Sequence, residues 1–125
     1  MLRIVGVQRS SEANQEFLLL QNQGGLRLNL RGVTVLSDRV VESGRLEGAC
    51  HVFSDEVSIP PGAFVLLRTG TGEPKWTKTR DGAMVYAAFM GRSHGVWWES
   101  DGPVHVSAPH HTYAERREFA TLRAS

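Results

Sequence analysis

A single cysteine, Cys50, stands among 125 residues, which excludes an intrachain disulfide framework. Folding must therefore rest on a noncovalent core. A chain of this length buries roughly two-thirds of its unfolded surface, enough to build one. The lone thiol also lacks an evident base, because on an extended segment its neighbour His51 points to the opposite face. No stretch approaches the ~18–20 apolar residues that span a bilayer. The run Met1-Leu2-Arg3-Ile4-Val5-Gly6 lacks the apolar core of a signal peptide. For a chain not cut from a longer precursor, the expectation is a cytoplasmic protein with no membrane partner. Excess charge of one sign is missing too: 14 basic and 13 acidic residues leave a net charge of +1, so no global field draws the chain onto polyanions. Lysine is scarce, with Lys75 and Lys78 alone; the other basic residues are arginines, which suit bidentate and stacked contacts.

What is present is the punctuation of a β protein. Short apolar runs recur about every ten residues, separated by Gly, Pro, Asp or Ser. Leu2 to Gln8 reads as a first strand, Glu16 to Asn22 as a second, and Leu30 to Leu36 as a third. A polar stretch from Arg39 to Gly48 reads as a long hairpin or loop, followed by strands at Ala49 to Phe53 and Val57 to Ile59. Pro60-Pro61-Gly62 suits a type II turn, whose third residue needs positive φ, and it leads into a strand from Ala63 to Arg68. Thr69 to Gly82 reads as a surface loop. Met84 to Met90, Val96 to Glu99, Val104 to Ser107 and Thr112 to Arg117 complete the strands, with a short C-terminal helix or extension from Glu115 as the alternative for the tail. No repeat or linker divides residues 1–125, so the expectation is one all-β domain, a two-sheet sandwich.

Several segments carry a likeness in their order and spacing. They are Glu16-Phe17-Leu18-Leu19-Leu20-Gln21-Asn22, then Leu30-Arg31-Gly32-Val33-Thr34-Val35, then Ile59-Pro60-Pro61-Gly62-Ala63-Phe64-Val65-Leu66 after Phe53. A Trp-rich segment and Asp101-Gly102-Pro103-Val104-His105-Val106 end the series. Together they resemble the lamin-tail domain, an immunoglobulin-like β-sandwich. The chain departs from that family at Val33, where tryptophan is common, and at Pro109-His110-His111, where a glycine is usual. The resemblance implies an immunoglobulin-like sandwich serving as an interaction or anchoring module, with no shared catalytic residues to carry over.

Motifs for catalysis do not assemble. Four of the five histidines fall late, at His94, His105, His110 and His111, and a zinc site would need a further ligand pattern that is missing. Thr69-Gly70-Thr71-Gly72-Glu73-Pro74-Lys75 lacks the glycine before the lysine and the Ser or Thr after it that a phosphate loop requires. The expectation is a non-enzymatic module without cofactor or metal. Two surfaces then compete. Lys75, Trp76, Lys78 and Arg80 combine cations with an aromatic, the pairing that binds nucleic-acid strands. Trp97 and Trp98 cannot both enter one core from a strand. The runs Phe17-Leu18-Leu19-Leu20 and Phe64-Val65-Leu66-Leu67 fail to alternate as a half-wet strand should. One of the tryptophans is expected between the sheets and the other on an outer face, under a loop or tail or against a partner. Phe17, Leu19, Val65, Leu67 and whichever of Trp97 and Trp98 lies outside are therefore the residues expected to meet a protein partner or a second copy in a homodimer. The rival occupant is the chain's own C-terminal segment, with Tyr113, Phe119 and Leu122. Nucleic acid at the Lys75–Arg80 segment and a small metal enzyme built on the late histidines are the alternative functions.

Overall fold

A computed structural model describes residues 1–38, 40, 49–99 and 102–108. Within them the strands are β1 (Leu2–Gln8), β2 (Phe17–Asn22), β3 (Leu28–Asn29), β4 (Thr34–Ser37), β5 (Cys50–Val52), β6 (Ser58–Ile59), β7 (Phe64–Arg68), β8 (Lys75–Lys78), β9 (Met84–Phe89) and β10 (Val104–Ser107), with a 3-10 turn at Ala13–Gln15. A five-stranded sheet runs β1-β2-β7-β9-β8. A three-stranded sheet runs β10-β4-β5, and β3 pairs with β6. β10 lies against β1, so the two larger sheets meet at that side. The fold is an all-β sandwich.

Its core follows from period-2 alternation. In β2 the buried side chains are Leu18, Leu20 and Asn22, and in β7 they are Val65 and Leu67. From the facing side come Val33, Val35 and Phe53, with Leu30, Ile59 and Trp97 filling the ends. Each such aliphatic side chain contributes roughly 1.5–3 kcal/mol by leaving water. Two turns of the same kind deliver strands to this core. The Ala63 N–H donates to the Pro60 carbonyl at 3.1 Å and the Val33 N–H to the Leu30 carbonyl at 3.0 Å. In each, glycine takes the third position, with φ of 85° at Gly62 and 88° at Gly32, as the type II geometry demands. The second turn also shortens the third strand: Leu30 to Val33 is spent on the reversal, so pairing starts only at Thr34.

Two further expectations are corrected. Val96 to Glu99 is not a strand. Its backbone is instead gripped by the side chain of Glu16, which has no solvent exposure. Glu16 Oε1 accepts the N–H of Val96 at 2.7 Å and the Thr69 hydroxyl at 2.8 Å. The N–H of Trp97 reaches both carboxyl oxygens, at 3.2 and 3.1 Å, and Oε2 also accepts the N–H of Ser10 at 3.2 Å. One buried acceptor pair thus ties together the end of β1, the end of β7 and the tryptophan loop, meeting the rule that buried polar groups be hydrogen-bonded. The second correction concerns Thr69 to Gly82, which is not all loop. Lys75–Lys78 pairs antiparallel with β9, and the hairpin closes through Thr79 N–H to the Ala83 carbonyl at 2.9 Å and Gly82 N–H to the Thr79 carbonyl at 3.0 Å. The alternating polar sequence Lys-Trp-Thr-Lys hides that strand, because all four of its residues are exposed.

β9 returns between β7 and β8 and runs parallel to β7, a pairing that requires the long connection supplied by residues 69–83. The expected strand Thr112 to Arg117, the C-terminal helix from Glu115, and Tyr113, Phe119 and Leu122 lie outside the described residues. So does the Arg39 to Gly48 stretch apart from Val40, which is buried.

The outer face of the five-stranded sheet

Strand register places three rows of outward side chains across this sheet. The central row is Gly6, Leu19, Leu66, Ala87 and Lys75 on β1, β2, β7, β9 and β8 in turn. One flanking row is Arg3, Gln21, Phe64, Val85 and Thr77, and the other is Gln8, Phe17, Arg68 and Phe89. Phe17, Leu19, Phe64, Leu66, Val85 and Phe89 are all half-buried, as side chains lying flat against neighbours on a sheet surface are. Gly6 leaves the flank of Leu19 open, since a Cβ there would sit 3.4 Å from the Leu19 Cβ. Phe89 is covered at one end: a Cβ on Gly72 would fall 2.5 Å from its ring. Outside the sheet, the described elements whose backbones come close to these strands include β10, beside β1, and the 3-10 turn, beside β7.

The electrostatics of the face are one-signed. None of the five strands contains Asp or Glu. Arg3 and Lys75 stand on the two edge strands and Arg68 between Phe17 and Phe89. Acidic groups occur only beyond the strand ends, with Glu73 before β8 and Asp81 in its hairpin, where the Thr79 hydroxyl bonds the Asp81 carboxylate.

The residues singled out by sequence divide. Phe17 and Leu19 lie outward. Val65 and Leu67 do not: both have no exposure and belong to the core, and the outward members of β7 are Phe64 and Leu66. The error is one of register, since a one-residue slip exchanges the faces of a strand. Arg68 held the missing signal, because a cation ending the run marks its own parity, shared by Phe64 and Leu66, as the wet one. The tryptophan pair divides as expected, one in and one out: Trp97 has no exposure and packs in the core, which removes it as a partner residue, while Trp98 is 45% exposed. Trp98 lies beside Gly95, where a Cβ would meet its ring. Of the Lys75–Arg80 group, only Lys75 joins the outward rows. Trp76 turns to the other side of β8 and lies against Tyr86, ring centroids 5.3 Å apart. Lys78 shares the parity of Trp76, and Arg80 sits in the hairpin turn.

The histidines do not converge. Among the described residues no group of three or more metal-type ligands occurs. His105 Nε2 lies 2.8 Å from Asp38 Oδ1, the His94 backbone bridges to Glu12, and His110 and His111 are outside the described residues. His51 is set apart by its surroundings. It stands edge-on to Phe53 with centroids 4.8 Å apart, and its Nε2 is buried without a hydrogen-bond partner among the described residues. Burial lowers its pKa, the Asp55 carboxylate opposes that shift, and Arg92 adds to it. Asp55 also accepts the Tyr86 hydroxyl at 2.8 Å; burial first, then that bond, pushes the phenol up to about 12. Cys50 is a half-buried free thiol. No described helix is long and apolar enough to cross a membrane.

Comparison with protein-family models, with curated proteins and with solved structures gives no match to this chain.

Proposed function

We propose that this chain is a non-enzymatic binding module that engages its partner through the outer face of the five-stranded sheet. The observation that carries the reading is the outward apolar set Phe17, Leu19, Phe64 and Leu66, continuous across β2 and β7 and bordered by cations with no acid on the strands. A contiguous apolar patch of a few hundred Å² on a small domain marks an interaction site. The resemblance to lamin-tail domains, which serve as interaction or anchoring modules, supports the same reading.

Self-association is the weaker form of this function. A two-fold pairing of the face with itself brings Arg3, Arg68 and Lys75 toward like charges. The face measures roughly 400 Å², taking about 4.8 Å per strand and about 3.3 Å per residue, against about 800 Å² per partner in a stable protein interface.

Thermal melts of Leu66→Lys test the proposal without a partner in hand. An open face tolerates the substitution, shifting stability by less than about 0.5 kcal/mol as for other surface changes. A loss near that of a core substitution means that the face is covered by the chain itself, and the reading fails. Sedimentation of the unaltered chain adds the second check: a dimer dissolved by Leu66→Lys reassigns the face to a second copy.

A further inference from the structure

Resting on the proposed binding face, we infer that its ligand is a single strand of nucleic acid laid across the five strands. Four observations converge. First, the charged side chains at outward positions are all cations, Arg3, Arg68 and Lys75, on strands that contain no acid. Net charge hides this, because the acids of the chain lie elsewhere. Second, Phe17, Phe64 and Phe89 occupy outward positions, while the inward positions of β2, β7 and β9 hold Leu, Val, Ala, Asn, Met and Tyr. The core takes none of this sheet's phenylalanines. Aromatic faces on an open sheet accept bases by stacking, whatever the base.

Third, Arg68 is the direct cross-strand neighbour of both Phe17 and Phe89, so a phosphate held by its guanidinium has an aromatic ring on either side. Arg3 and Lys75 repeat the cationic contact at the two edges, about 19 Å apart over four strand spacings. Gln8 and Gln21 border the same rows, their amides donating to the carbonyls of Gln15 and Gly62 at 2.6 and 3.3 Å. Fourth, a face of roughly 400 Å² is small for a folded protein but of the order that a few nucleotides need, site sizes on small β domains starting at about four. Lys78, on the opposite side of β8, and Arg80, in the hairpin turn, lie outside this face.

The strand would lie over Phe17 and Phe64 with its backbone toward Arg68. Phe89, capped by Gly72, serves as the end wall. A duplex buries its base faces and gains only the phosphate contacts, so single strands bind better than duplex.

The test is fluorescence anisotropy of the full chain with labelled 20-nucleotide DNA and RNA of mixed sequence, titrated across salt. Three phosphate contacts predict a log–log slope of about −2, at ~0.7 per phosphate for single strands. Phe17→Ala and Phe64→Ala should each weaken binding about tenfold, the loss of one stacked base. Arg68→Gln, which leaves the apolar set intact, should lower both affinity and slope. Arg31→Gln is the control; its guanidinium is paired with Glu56 at 2.7 Å on exposed surface and should change nothing. Absence of binding at low salt to either strand overturns the inference. So does binding that survives Phe17→Ala and Phe64→Ala but is lost in Lys78→Gln with Arg80→Gln, which moves the site to the hairpin. Equal binding of polyglutamate or of phosphatidylserine-containing vesicles, sensitive to the same variants, also overturns it. Each of these leaves the binding-face reading standing, since that is decided by the stability of Leu66→Lys.

Discussion

The two faces of the five-stranded sheet are built from the same strands and nearly the same residue types, yet they have different surroundings. Inward, Leu18, Leu20, Val65 and Leu67 have no solvent exposure and meet a second sheet. Outward, Phe17, Leu19, Phe64 and Leu66 are as apolar but remain half-buried. Apolarity alone therefore does not distinguish core from surface in this chain. Parity does, and parity is set by what each face packs against.

That contrast can be broken by experiment. The largest effect belongs to paired truncations on β7. Leu67→Ala should cost about 2–5 kcal/mol through lost transfer energy and a cavity, whereas Leu66→Ala one position earlier should cost under about 1 kcal/mol by chemical denaturation. Equal losses would erase the distinction between the faces. Next is Glu16→Gln, which keeps shape but replaces one acceptor oxygen by a donor facing backbone N–H groups. A loss of about 2 kcal/mol is expected, the scale of hydrogen bonds to a charged group and of buried donors left unpaired. Near-UV circular dichroism of Trp97 should report the loosened loop.

A smaller effect is linked to pH and sharpens the inward side. The folded pKa of His51 lies below its unfolded value because burial disfavours the imidazolium. The unfolded chain therefore binds more protons below pH ~6.5, and stability should fall as pH drops through that value. His51→Phe should flatten this part of a Tm-against-pH profile, and an unchanged profile would place His51 in water. The smallest effect is on the outward side: Gly6→Ala, whose Cβ makes ordinary contact with Leu19, should shift Tm by no more than a degree or two, for a change well under about 0.5 kcal/mol.

Much of the fold was legible in sequence. Leu2–Gln8 and Val104–Ser107 were found with their observed limits, and Phe17–Asn22, Phe64–Arg68 and Met84–Phe89 to within a residue, because short apolar runs end where glycine, proline or polar residues begin. Pro60-Pro61-Gly62 announced its turn because only glycine adopts the required φ freely. The outer face of the five-stranded sheet was half legible. The runs themselves point to Phe17 and Leu19 as outward, mistake the parity on β7, and divide Trp97 and Trp98 between core and surface without deciding which is which. β8 was missed because an edge strand exposed on both sides carries no hydrophobic period. Which tryptophan enters the core is not legible because their segment is a loop held by Glu16, a residue 81 positions before Trp97, and not the strand expected at Val96 to Glu99.

By itself, then, the sequence determined the class of fold, the positions of most strands and the turns between them, since these depend on local backbone preference and on period-2 alternation. Only the tertiary structure decided which strands became neighbours, that β7 and β9 run parallel, and which parity of each apolar run faces the second sheet. Those choices depend on long-range pairing, and apart from the parity that Arg68 marks, nothing local distinguishes Phe64 and Leu66 from Val65 and Leu67 until the opposite sheet has closed over one pair.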